Sequence, residues 1–161
     1  FRRSRGLGDV YKRQHLAIVG RGHLKARLLR HAAKRGVADA VHIESSLPFE
    51  ALADAYRAAD LVVFPSLYEG LGMIPIEAMA SGTPVITVDH GPMPETVDIS
   101  TGALYTVGDH DAFARIVDEE LSDTAQLKAK GEAGRAKVLE RFTMAREVEA
   151  YLEAYGRAMT E

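Results

Sequence analysis

Short runs rich in apolar residues recur along the chain, each followed by a turn and then by residues at helical spacing. The runs are His15 to Val19, Val41 to Ile43, Asp60 to Phe64, Pro84 to Val88 and Ala103 to Thr106. They are too short for helices, and several are apolar at consecutive rather than alternate positions, the mark of strands covered on both faces. Between them lie Leu24, Leu28, Leu29 and Ala32 ahead of Gly36, then Phe49 to Ala58, then Met73 to Ala80 ahead of Ser81-Gly82, and a short turn at Pro94 to Asp98. Past Thr106 only helical patterns remain: Phe113, Ile116, Val117 and Leu121, then Leu127 to Arg141, then Met144 to Met159 with Val148, Tyr151, Leu152 and Tyr155 on one face.

Strands that alternate with helices pair in parallel, and right-handed crossovers put helices on both sides of the sheet. The expected fold is therefore α/β, a Rossmann-like parallel sheet with helices on both faces and a helical C-terminal extension. Ligands of such sheets bind beyond the carboxyl ends of the strands. That places the search at Gly20 to His23, Glu44 to Pro48, Pro65 to Met73 and Asp89 to Glu95.

A chain of 161 residues supports one domain, expected over residues 15–161. Residues 1–14, FRRSRGLGDVYKRQ, show no period and hold Arg2, Arg3, Arg5, Lys12 and Arg13 beside Asp9 alone. They read as a disordered or non-native leader. GLGDVYKRQ resembles a translated sequencing-adapter junction, which implies that the natural protein is longer. The 20 basic and 23 acidic residues fall to 15 and 22 without this segment, a body of net charge −7 that does not attract nucleic acid. The lack of cysteine excludes disulfides, thiolate metal sites and thiol nucleophiles, and fits a cytoplasmic setting. No run suits a transmembrane segment, so peripheral membrane contact is expected only through the rest of a longer protein.

Two segments could receive an anion. Gly20-Arg21-Gly22 lets a ligand approach the backbone ahead of a helix. Lys25 stands where a dinucleotide fold needs its third glycine, however, and a tight connection alone would also explain the turn. Pro65 to Gly82, PSLYEGLGMIPIEAMASG, says more: proline ends the strand, Gly70 and Gly72 clear a turn, and the next helix starts near Met73 with its first amides unpaired. Glu69 and Glu77, eight positions apart, bracket this cradle. Two carboxylates beside phosphate alone would repel it; they suit hydroxyl groups on either side of a diphosphate.

Glu69-Gly70-Leu71-Gly72 through Glu77-Ala78-Met79-Ala80 and Gly82-Thr83-Pro84-Val85 resembles the Glu, seven residues, Glu motif of retaining GT-B glycosyltransferases of the family 4, group 1 type. Ile18 to Gly22, Tyr56 with Ala59-Asp60, Phe64-Pro65-Ser66, Gly91 with Glu95, and Phe142 extend the likeness to that family's C-terminal, donor-binding domain. The resemblance implies a nucleotide-sugar donor (UDP-, GDP- or ADP-sugar), no metal and no cofactor. It gives Glu69 the sugar hydroxyls and the catalytic role, Glu77 the ribose, the amides from Gly70 through Leu71, Gly72 and Met73 to Ile74 the sugar and diphosphate, Gly20 and Gly22 the pyrophosphate side, and the backbone near Leu47 the base.

Leu71, Ser45 and Pro92 depart from that family's aromatic, glycine and glycine. Its upstream arginine and Lys-Gly clamp have no counterpart, and its N-terminal acceptor domain is missing, so the chain alone is expected to be inactive. The alternatives are a non-catalytic nucleotide-sugar-binding or interaction module, and a GT-B epimerase. Asp109-His110-Asp111 reads as the cap of a helix beginning at Ala112 rather than as a metal motif. His23 and His31 read as surface residues, and the Tyr151 and Tyr155 face as packing that is left exposed in this chain.

Overall fold

The computed structural model describes residues 14–160. The leader expected at 1–14 therefore lies, but for Gln14, outside the described residues. The fold is α/β, and every strand pair is parallel. Its ladders divide into two sheets, and the chain divides into two compact units, residues 1–52 and 53–161, with the division falling inside α2 (Phe49–Ala58).

In the first unit β1 (Leu16–Val19) pairs with β2 (Val41–Glu44) from Leu16↔Val41 to Val19↔Glu44, through α1 (Lys25–Lys34) and a 3-10 turn at Ala38–Ala40. α1 stops because Gly36, at φ 70°, takes the left-handed turn that returns its amide to Ala33 and that of Val37 to Ala32. Ala32 is buried in this unit, whereas Leu16 and Val19 of β1 stay exposed.

The second unit holds β3 (Val62–Phe64), β4 (Val85–Val88) and β5 (Gly102–Tyr105) with β4 central and wholly buried. The ladder opens at Val62↔Val85, because Pro84 has no N–H and only accepts, its carbonyl taking the Val62 amide at 3.0 Å. Alternation along β4 separates two cores. Val85 joins Ile76, Ala78, Met79, Val97 and Val138; Ile86 and Val88 join Met93 and Tyr105, with Phe113, Ile116 and Val117 packed against them. The first core belongs to α3 (Met73–Ala80) and α6 (Thr124–Arg141), the second to α4 (Met93–Thr96) and α5 (His110–Ser122). The sheet is thus covered on both faces, as the uninterrupted apolar runs require. α7 (Met144–Ala158) follows, capped by Thr143, with Val148, Tyr151, Leu152 and Tyr155 exposed.

Asp109 does cap a helix, accepting the Ala112 amide at 2.8 Å. That helix begins at His110 rather than Ala112, since the cap side chain reaches three residues into the helix it starts. His23 and His31 are exposed.

Candidate functional site

The site is built where β3 ends. Pro65 follows Phe64, and the chain runs through Ser66–Gly72 before α3 begins at Met73. Gly72 is the N-cap of α3 in the left-handed region, at φ 77°, and a Cβ there would lie 2.3 Å from Met93 Cε. The left-handed conformation demands glycine, whereas the Met93 methyl is the end of a flexible side chain that can shift. Gly70 differs: nothing lies within 4 Å of the Cβ it lacks, so the chain around it does not require glycine, whereas a ligand approaching the backbone would.

No side chain caps α3, and its first turn carries no acid. The amides of Met73 and Ile74 are the donors left at this end, because Pro75 has none. A helix end of this kind holds a partial positive charge and directed N–H groups.

Both glutamates are held by a hydroxyl. The Tyr56 phenol, on α2, donates to Glu77 Oε2 at 3.1 Å, and the half-buried Glu77 sits one turn inside α3. Burial first, then the charge and hydrogen bond of Glu77, push the Tyr56 phenol well above its ordinary pKa, so it stays a donor. Ser66 Oγ donates to Glu69 Oε1 at 2.8 Å, and Glu69 is exposed. Leu71, Met73 and Ile74 present exposed side chains beside the cradle.

Gly70, Leu71, Gly72, Met73, Ile74, Glu69 and Glu77 therefore come together in the second unit. Gly20, Gly22 and Leu47 belong to the first. There the Gly20 amide is already bonded to the Glu44 carbonyl at 2.9 Å, so it is not a free donor. Gly20 and Gly22 have open space where a Cβ would stand, and half-buried Leu47 lies in the loop after β2. Sequence reasoning missed the parts of Tyr56 and Ser66. The three-residue step from Ser66 to Glu69 was readable, whereas Tyr56 meets Glu77 across 21 residues through packing alone.

The arrangement of parallel strands flanked by helices is that of GT-B glycosyltransferase C-terminal domains. Sucrose-phosphate synthase from Thermosynechococcus elongatus superposes with a TM-score of 0.79 at 30% identity, over 91% of this chain and 39% of that one. The C-terminal domain of a glycosyl transferase group 1 protein, LpcC, from Francisella tularensis gives 0.68 at 27% identity, over 75% of this chain and 63% of that one. Residues 7–137 match the family described as "Glycosyl transferases group 1", and the chain belongs to that family.

Among curated relatives, a D-inositol 3-phosphate glycosyltransferase of Streptomyces scabiei is 38% identical over 133 residues, 82% of this chain and 30% of that protein. An MMP alpha-(1->4)-mannosyltransferase of Mycolicibacterium hassiacum is 35% identical over 131 residues, 78% of this chain and 32% of that protein. The chain thus spans about a third of the length of these relatives.

Proposed function

We propose that the chain is the donor-binding part of a retaining glycosyltransferase that works without a metal ion, moving a hexosyl group from a UDP-, GDP- or ADP-sugar to an acceptor held by a domain outside this chain. The observation that carries the reading is the start of α3, where free amides follow a turn left open at Gly70, between two carboxylates each fixed by its own hydroxyl donor.

Each part has a task. The amides of Met73 and Ile74, with the helix end behind them, take the diphosphate and stabilise the charge that grows on it as the sugar leaves. Glu77 accepts from the ribose hydroxyls, and Glu69, on the exposed turn, accepts from the sugar and orients it for transfer. The family resemblance assigns Gly20 and Gly22 to the pyrophosphate side and the backbone at Leu47 to the base. Anabaena Alr3699/HepE has been crystallised with UDP. At 22% identity it speaks for the fold, and the nucleotide reading rests on the residues above. A cytoplasmic location belongs to the same reading, since sugar nucleotides are met there.

Calorimetric titration of the chain with UDP-glucose, GDP-mannose and ADP-glucose, each in EDTA and in magnesium, tests this. One donor is expected to bind equally well in both buffers without being turned over. Glu77→Ala is expected to weaken it about 10- to 100-fold, the worth of hydrogen bonds to one charged group, while circular dichroism shows the fold kept. Binding that needs magnesium, or that survives Glu77→Ala unchanged, overturns the reading. A longer reading frame with a second α/β domain and the basic clamp would favour the transferase over a binding module.

A further inference from the structure

The body of the protein is acidic, yet residues 15–38 contain no Asp or Glu and carry Arg21, Lys25, Arg27, Arg30, Lys34 and Arg35. Their placement on α1 is not uniform. The helix turns buried Ala32 inward, and Lys25 reaches back to the Ile43 carbonyl at 3.0 Å, which marks the side that faces β2. Arg27, Arg30 and Lys34, at steps of three and four, fall on the opposite side, are exposed, and form no ion pair with a described residue. A shallow groove beside them is lined by Leu24, Arg27, Leu28, Arg30, His31 and Lys34. Leu24 and Leu28, 45% and 41% exposed, put apolar surface along the edge of the cationic stripe.

We propose that α1 docks the chain on an anionic membrane surface, with Arg27, Arg30 and Lys34 against lipid phosphates and Leu24 and Leu28 at the headgroup boundary. Charge complementarity argues for an anionic partner: three unpaired cations in a row have no structural task, and a fully solvated helix face would carry acids among them. Leucines rather than aromatic residues line the stripe, which suits a lipid boundary and offers nucleic-acid bases nothing to stack on.

Sedimentation of the full chain with vesicles of phosphatidylcholine containing phosphatidylserine tests the proposal, with pure phosphatidylcholine vesicles and an RNA oligomer at equal phosphate as comparisons. The variant Arg27→Gln/Arg30→Gln/Lys34→Gln removes three charges from the stripe, and Arg2→Gln/Arg3→Gln/Arg5→Gln removes three elsewhere. Each basic group at an anionic surface changes partitioning about fivefold. The stripe variant is therefore expected to lose about 100-fold with an unchanged melting curve, and the other to lose far less. Leu24→Ser is expected to weaken binding at every salt concentration. Equal loss in both triple variants, binding to the neutral vesicles, or preference for the RNA would overturn the proposal.

Discussion

A carboxylate that grips a ligand's hydroxyl groups must already be pointing at them, or the ligand's binding energy is spent on ordering the side chain. Tyr56 provides that order for Glu77 by donating to Oε2. The phenol ring meanwhile packs against the core of α3 and α6, so its hydroxyl can be removed without loss of packing. Tyr56→Phe is expected to keep the fold, shown by a melting temperature within a few degrees of wild type, and to weaken sugar-nucleotide binding about tenfold, the lower end of what one hydrogen bond to a charged group contributes. Calorimetry on the two proteins reads this directly. An unchanged affinity would mean that Glu77 is positioned by the helix alone. Ser66 serves Glu69 similarly, but on an exposed loop, where the same bond contributes less.

At the scale of elements, α3 sits where the site needs it because α6 crosses it closely. A Cβ on Gly131 would lie 2.1 Å from the Gly82 carbonyl oxygen, and one on Gly134 3.1 Å from Met79 Cγ. Gly82, at φ 82°, is the turn that ends α3, so the first clash is with backbone that cannot move and the second with a side chain that can. Alanine would raise helix propensity by about 1 kcal/mol at either site. Gly134→Ala is therefore expected to change stability by less than about 1 kcal/mol, whereas Gly131→Ala loses about 2 kcal/mol or more through overpacking. Urea denaturation of both variants ranks them, and equal effects would refute the close crossing. The strands and helices were legible within a few residues, because continuous apolar runs and glycine stops at Gly36 and Gly82 are local signals. Gly72 at the start of α3 and Glu77 one turn inside it were legible for the same reason. The Gly131 contact and the Tyr56 bond were not, since each joins residues that only tertiary packing brings together.

For the whole molecule, stability against acid is where a distant pair of residues shows itself. Burial alone would raise the Asp98 carboxyl, but hydrogen bonds from Lys137 and Ser100 outweigh it and hold the group at about 2, below the ordinary 3.8. Lys137 Nζ lies 2.6 Å from Asp98 Oδ2, tying the loop after α4 to α6 within the second unit. A carboxyl lowered by folding binds its proton more readily in the unfolded chain. Its stabilising contribution is therefore complete above pH 3.8 and is lost as pH falls toward 2. Asp98→Asn removes that dependence. Thermal melts are expected to show wild type more stable than Asp98→Asn at pH 6, with the gap narrowing between pH 4 and pH 2. Lys137→Met should flatten the same limb in the wild-type background and add little to Asp98→Asn, because the two residues share one interaction. A gap that stays constant down to pH 2 would show that the ion pair does not link the loop to α6 in solution.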